Sequence, residues 1–296
     1  MAGPDSSLTP FWHRVRGRSQ SALRAGALQP ISTHASFIED EGVEFVVRVS
    51  ANLLRKQSAR TPNGQQNAGN PFLPPEPALT ICELPPHHIA VLNKFNVLEN
   101  HVLVITRGFV HQESALSADD FSAVAAGLRG GRGLAFYNAG RTAGASQSHR
   151  HFQLVPLPLG RTADIPMAAL LDGASHGIDT IDGLRFRHAF GRLDRQPDDA
   201  GAFGLRCQEL YRRFVTALGL AEAFDHAEET RLPPYNLLLT DRWLFIAPRS
   251  REHYLGVSVN GLGYAGSLFV SSQERLARVQ SSGPMKFLEN VSIGRP

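Results

Sequence analysis

The sequence predicts an α+β fold: a mainly antiparallel sheet flanked by helices, with an integrated C-terminal α/β portion. Two observations carry this. Strand-like runs come in pairs joined by short turns, so hairpins outnumber crossover units. Helical stretches separate groups of strands, in the order helix, strands, helix, strands, helix, strands, helix, and do not alternate with single strands. The length of 296 residues suits one large domain or two intimately packed ones.

The elements follow in order. Residues 6–26 read as a helix, with Trp12, Val15, Ala22 and Leu23 on one apolar face and Arg14, Arg16, Arg18 and Arg24 solvating the rest. VEFVVRV (43–49) reads as a strand. Residues 57–78, rich in Pro, Gly, Asn and Gln, form a long loop. HIAVLNKF (88–95) and HVLVIT (101–106) are β-rich around a short turn and predict an antiparallel pair. Ser117 with Asp120 three residues on forms a capping box for a helix that buries Phe121, Val124, Ala125 and Leu128 and stops at the glycine cluster 127–133. GLAFYNA (133–139) is a strand, GRTAGASQS (140–148) a loop and HRHFQLVPLP (149–158) a strand. Residues 159–200 carry little pattern. CQELYRRFVTALGL (207–220) is a helix, YNLLLT (235–240) and RWLFIAP (242–248) are strands around an Asp241 turn, and a glycine-rich segment (259–270) precedes a last helix near 272–280.

Composition excludes several classes. No apolar run approaches the roughly 20 residues of a membrane span. The arginines of the N-terminus have no apolar stretch behind them, so a secretory signal is not expected and a cytoplasmic location is. Cys82 and Cys207 form neither a disulfide framework nor a metal knuckle and are expected to be free thiols. The net charge of +3 is mild, and no basic run interleaved with aromatics suggests nucleic acid. Of 30 basic residues only Lys56, Lys94 and Lys286 are lysines. Where a lysine persists in so arginine-biased a chain, a compact point charge is a reason for it.

The chemistry concentrates in GASQSHRHFQ, residues 144–153. His149, His151 and Gln153 stand at i, i+2 and i+4, so a strand turns all three to one side and Arg150, Phe152 and Leu154 to the other. A neutral imidazole is a good nucleophile toward phosphorus, and the phosphoramidate it forms is readily displaced. The small residues Gly144, Ala145, Ser146 and Gln147 offer backbone N–H groups and a hydroxyl that can approach phosphate oxygens. A nucleophile beside an anion cradle is the minimum equipment for phosphoryl or nucleotidyl transfer. Two histidines at alternate positions also suit zinc, although Gln153 is a poor ligand and no third one is evident locally.

HRHFQ after GASQ resembles the His-x-His-x-Gln signature of the transferase branch of the histidine-triad superfamily. The chain is most similar there to the ATP adenylyltransferase (diadenosine tetraphosphate phosphorylase) family, through NPFLPPEP (70–77), LNKFNVLENHVLVIT (92–106), FYNAG (136–140), GASQSHRHFQLVPLP (144–158), YNLLLTDRWLFIAPRS (235–250) and VNGLGYAGSLFV (259–270). The resemblance implies a histidine-triad-like fold. It implies a catalytic region over 1–185 and a C-terminal region over 186–296 that completes the sheet and the nucleotide site. His151 would be adenylylated, and His149 would orient the site. Gln153, in place of a third histidine, cannot act as a base toward water and so fits transfer to phosphate. Asn138 and residues 144–147 would hold ribose and α-phosphate, and Lys56, Asn93 and Lys94 would reach the polyphosphate. Asn260, Gly261, Leu262 and Ser267 would close over the second nucleotide. The implied partners are diadenosine tetraphosphate, ATP, ADP and phosphate, with Mg²⁺ carried on the polyphosphate and no dedicated protein site for it. A uridylyltransferase acting on sugar phosphates, a dinucleoside polyphosphate hydrolase and a non-catalytic nucleotide-binding module are the alternatives. Two positions depart from the family pattern. Arg150 stands where a lysine is usual and, facing away, is expected to matter little. Ser271 stands where a basic residue often follows, leaving Arg249 or Arg251 as candidates to grip the distal phosphates.

Overall fold

The computed structural model describes residues 10–50, 70–193, 199–221 and 230–296. The chain runs α1 (Pro10–Arg24), β1 (His34–Asp40), β2 (Val43–Val49), β3 (Thr80–Leu84), β4 (His88–Leu92), β5 (Val102–Thr106), α2 (Ala118–Leu128), β6 (Gly133–Ala139) and β7 (His151–Pro156). It continues through α3 (Ala168–Asp172), β8 (Gly177–Ile178), β9 (Ala189–Arg192), α4 (Ala200–Ala217), β10 (Tyr235–Leu239), β11 (Trp243–Pro248), β12 (His253–Tyr254), β13 (Val257–Ser258), β14 (Ser267–Val270), α5 (Gln273–Ser282) and α6 (Pro284–Val291).

A nine-stranded sheet in the order β3-β4-β5-β7-β6-β10-β11-β9-β8 organises the molecule, and every neighbouring pair in it is antiparallel. A three-stranded sheet, β1-β2-β14, pairs β1 with β2 antiparallel and β14 with β2 parallel. This is the antiparallel, helix-flanked α+β architecture that the hairpin pattern predicts.

The large sheet has two covered faces, and strand alternation divides its residues between them. One face packs Phe152, Leu154, Ala135, Tyr137, Leu237 and Leu239 against Phe11, Trp12 and Val15 of α1, Phe121 and Val124 of α2, and Phe203 and Phe214 of α4. The other face packs Leu134, Phe136 and Leu238 with Phe45 and Val47 of β2, Leu268 and Val270 of β14, and Phe287 and Leu288 of α6. A smaller apolar cluster, Ile89, Val91, Leu103 and Ile105, continues this second face toward Phe72. The candidate site lies on the second face, where α1, α2 and α4 do not reach.

Three differences from the sequence reading have local causes. The helix expected at 207–220 starts at Ala200, capped by Asp199, whose carboxylate accepts from the N–H groups of Gly201 and Ala202. Gly201 and Gly204 look like breakers, yet Gly204 sits where α4 crosses α2. A Cβ there would stand 2.3 Å from the Ala118 carbonyl oxygen, so only glycine permits the approach. The segment 284–291, unassigned from sequence, is a helix opened by Pro284 in its first turn. The strand expected from residue 149 begins at His151, and His149 makes only an isolated bridge to His111.

Candidate active site

A cavity of about 1450 Å³ opens on the second sheet face, and His151, Gln153, Asn138, His101, Phe72 and Asn260 are among the residues lining it. The strand register explains why these meet. Gln153 pairs with Leu103 on β5 and with Phe136 on β6, while His151 pairs with Ile105. Steps of two along each strand then put His101, Leu103 and Ile105 beside Gln153 and His151 on one face, with Phe136 and Asn138 on the other flank.

His151 is 4% exposed. Its Nδ1 lies 2.8 Å from the His149 carbonyl oxygen. A carbonyl only accepts, so Nδ1 carries the proton and Nε2 keeps its lone pair. Burial lowers the His151 pKa to about 4, against the smaller opposing effect of the hydrogen bond to the His149 carbonyl. The ring is therefore neutral at physiological pH. Its backbone is clamped by Gln112, whose Oε1 accepts from His151 N–H at 2.8 Å and whose Nε2 donates to the Asn138 carbonyl at 2.9 Å. Phe72 lies edge-on to the His151 ring, with centroids 5.1 Å apart.

His149 meets the His151 ring through that carbonyl. Its own ring is not among the groups lining the cavity. Nε2–H donates to the Thr106 carbonyl at 2.9 Å, and Nδ1 accepts from Asn70 Nδ2 at 2.5 Å. Both nitrogens are thus engaged, and burial lowers this pKa too. The picture of two imidazoles facing the ligand is corrected to one.

The loop 144–147 also differs from expectation in part. All four residues line the cavity. However, the N–H of Gly144 donates to Arg141 O and that of Ala145 to Gly140 O, so these two amides close the turn and do not cradle an anion. Gly144 has φ +93, and a Cβ on it would lie 3.0 Å from Asn260 Cβ, so its contribution is close approach to the 259–262 segment. Asn138 lines the cavity, but its Oδ1 accepts from Asn236 Nδ2 and from Gly261 N–H, each at 2.8 Å. Gly261 lies behind that bond and off the cavity wall, whereas Asn260, Leu262 and Ser267 line the wall. The Asn260 side chain accepts from Leu262 N–H and caps a 3₁₀ turn over Gly261–Ala265.

Asn93 and Lys94 line the opposite end, and Lys94 Nζ pairs with Glu76 at 2.8 Å, both side chains partly exposed. Lys56 lies outside the described residues. Arg249 does not grip phosphate. It is 2% exposed, and its guanidinium donates to the carbonyls of Val291, Val259 and Arg251 and to Asn236 Oδ1. Ser271 is buried, and its hydroxyl accepts from the Arg275 guanidinium, which lines a small cleft of about 190 Å³ beside His253 and Ser258.

Arg150 faces away from His151, as alternation requires, and its place is structural. It is 4% exposed and makes a 2.8 Å ion pair with Asp120, which also meets His88 Nε2 at 2.9 Å. Burial opposes ionisation of Asp120, but the His88 hydrogen bond and the Arg150 charge outweigh it and hold the carboxyl below its usual range. Asp120 is the same residue that closes the capping box on Ser117, so one carboxylate joins α2 to β7.

Sequence reasoning missed His101, Gln112, His111, Glu113, Glu252 and His253, all of which line the cavity. Strand parity offered a signal for His101 alone, two positions before Leu103. His111, Gln112, Glu113 and Glu252 lie outside the strands and helices, and His253 is in the two-residue β12, too short for a period to fix direction. Among the described residues no group of three or more His, Cys, Asp or Glu could hold a metal ion, and no helix is long and apolar enough to cross a membrane.

Comparison with known proteins covers most of the chain. Residues 4–173 match the family described as Ap4A phosphorylase N-terminal domain, and residues 182–294 match ATP adenylyltransferase C-terminal domain. The chain is 27% identical over 292 residues to diadenosine 5',5'''-P1,P4-tetraphosphate phosphorylase 2 of Saccharomyces cerevisiae, covering 89% of this chain and 88% of that one. It is 23% identical over 293 residues to the protein APA1 of the same yeast, covering 90% and 88%. The crystal structure of yeast Ap4A phosphorylase Apa2 in complex with Ap4A has the same fold, with a TM-score of 0.78 at 22% identity over 98% of this chain and 99% of that one. This chain belongs to the Ap4A phosphorylase family.

Proposed function

We propose that the protein catalyses the reversible phosphorolysis of diadenosine tetraphosphate to ATP and ADP through an adenylyl group carried on His151. The observation that carries this reading is the His151 ring itself: its proton is fixed on Nδ1 by the His149 carbonyl, its Nε2 keeps the lone pair, and His151 lines the cavity. In the first step Nε2 attacks an α-phosphorus. The P–N bond forms, the bond to the bridging oxygen breaks, and ATP leaves with that oxygen. In the second step an oxygen of inorganic phosphate attacks the same phosphorus, the P–N bond breaks, and ADP leaves. Run backwards, ADP charges the histidine as phosphate leaves, and a terminal oxygen of ATP then takes the AMP group, breaking the P–N bond and forming diadenosine tetraphosphate.

Gln153 donates to the non-bridging oxygens and stabilises the charge that builds there. Having no basic nitrogen, it cannot activate water, which favours phosphate as acceptor. Lys94 and Asn93 meet the polyphosphate, and Lys94 exchanges Glu76 for it. Residues 144–147 border the ribose and α-phosphate, while Asn260, Leu262 and Ser267 wall the second nucleoside. Mg²⁺ arrives as part of the polyphosphate substrate. The cytoplasm is the compartment where this reaction has its reactants.

The test is direct. Protein mixed with labelled diadenosine tetraphosphate and no phosphate should accumulate an acid-labile, base-stable adduct that phosphate discharges as ADP. His151→Ala should abolish both adduct and turnover. A variant that keeps either one refutes the assignment. Preferential turnover of UDP-sugars would redirect the reading to uridylyl transfer on sugar phosphates.

A further inference from the structure

A primary amide can present either its oxygen or its NH₂ to a ligand, and the two orientations occupy nearly the same space. For a group facing a phosphate the difference is decisive, since the NH₂ attracts the phosphate oxygens and the carbonyl repels them. The fold must therefore fix the rotation of the Gln153 amide, and a row of three side chains at neighbouring strands does so.

Asn93 directly follows β4, His101 directly precedes β5 and Gln153 lies on β7, and the three side chains stand next to one another at the cavity. Asn93 Nδ2 lies 3.2 Å from His101 Nδ1, and His101 Nε2 lies 3.0 Å from Gln153 Oε1. An amide nitrogen only donates, so His101 Nδ1 accepts. In a neutral imidazole the proton then sits on Nε2 and is donated to Gln153 Oε1. With its oxygen engaged, Gln153 turns its NH₂ to the cavity beside His151. His101 is 7% exposed and is steadied by the Phe136 ring at 5.9 Å, so the row is held by packing as well as by hydrogen bonds.

We propose that His101 is a positioning residue for nucleotidyl transfer, which sets the Gln153 amide so that its NH₂ faces the reacting phosphate. The proposal rests on the reading of His151 as the nucleophile. Its prediction concerns hydrogen-bond polarity: a donor at position 101 preserves the orientation and an acceptor inverts it.

The isosteric pair His101→Gln and His101→Glu separates polarity from shape. In single turnover with diadenosine tetraphosphate, His101→Gln should form the adduct within about threefold of the wild-type rate. His101→Glu draws the Gln153 NH₂ away from the cavity and should be slower by about 100-fold, the scale of one lost donor to a developing oxyanion. In a Gln153→Ala background the difference between the two variants should vanish. Equal rates for Gln and Glu at position 101, or a difference that persists without Gln153, overturns the proposal, the latter because it would reflect repulsion of the polyphosphate by the added charge.

A second readout does not depend on turnover. In protein labelled with ¹⁵N-glutamine, the Gln153 side-chain amide signal is identified by its loss in Gln153→Ala. Titration with AMP should move it in wild type and His101→Gln and leave it unmoved in His101→Glu. An equal response in all three overturns the positioning role. If wild type forms no adduct, the His151 reading fails, and this amide signal still decides whether His101 sets the rotation.

Discussion

His151 opens β7 and Arg150 directly precedes it; each is 4% exposed, yet the protein manages their burial in opposite ways. Arg150 keeps its charge, because Asp120 at 2.8 Å and the Ala115 carbonyl replace the water it loses. His151 loses its charge, because burial disfavours the cation, no described carboxylate pairs with the ring, and a carbonyl holds its one proton. One side of the strand is a paired ion in the core and the other a neutral base at a cavity wall. Burial by itself therefore says nothing about the role of an ionisable residue; the partner decides.

The sharpest way to break this comparison is Arg150→Met. It leaves the Asp120 carboxylate with His88 and its Ser117 capping bonds but without the guanidinium, and should cost about 3–5 kcal/mol of stability, measured by urea unfolding at pH 7. Adduct formation per folded molecule should stay within about threefold, because the His151 face is untouched. Unchanged stability would mean that the ion pair is replaceable and the two faces less different than they look.

The second prediction uses pH. The His151 pKa of about 4 lies below the ordinary value of 6.5. Between the two values the unfolded chain binds the proton and the folded chain does not, so stability rises with pH through this window. The contribution is complete above about pH 6.5 and is lost as pH falls toward 4. A shift of this size corresponds to about 3 kcal/mol. Wild type should therefore lose about that much more stability than His151→Gln on going from pH 7 to pH 4, read from urea midpoints. The Asp120 contribution, lost at lower pH as its depressed carboxyl protonates, is common to both proteins and cancels. Parallel stability curves would show that His151 is better solvated than its burial implies.

The smallest effect concerns the wall opposite His151. Gly144→Ala forces a side chain into a φ of +93 and against Asn260. It should cost about 1–3 kcal/mol and raise KM for the dinucleotide more than it lowers kcat. An unaltered KM would detach the 259–262 segment from nucleotide binding.

The sequence made the two faces of β7 legible because alternation fixes which residues share a side, and that placed His151 with Gln153 and Arg150 with Phe152. It also supplied the capping box at Ser117. It did not supply the partners. Asp120 reads as a helix cap, and nothing in a linear pattern shows that the same carboxylate meets Arg150 thirty positions later. The edge strand β1, HASFIED, is mostly exposed and carries no apolar run, so hydropathy passes over it. β14 hides in a glycine-rich stretch because its pairing partner, β2, lies far upstream. The anion loop failed in part for a similar reason: small residues predict close approach, but only coordinates show that Gly144 and Ala145 spend their N–H groups on their own turn.

The Phe72 ring packs edge-on to both His149 and His151, at centroid separations of 5.6 and 5.1 Å. On the proposed mechanism the charged enzyme must survive between the departure of one nucleotide and the arrival of phosphate. A hydrocarbon edge against the imidazole leaves solvent fewer directions of approach to the P–N bond. The lifetime of that intermediate, and hence how much AMP is wasted, is then governed partly by a phenylalanine nearly eighty positions before the catalytic motif.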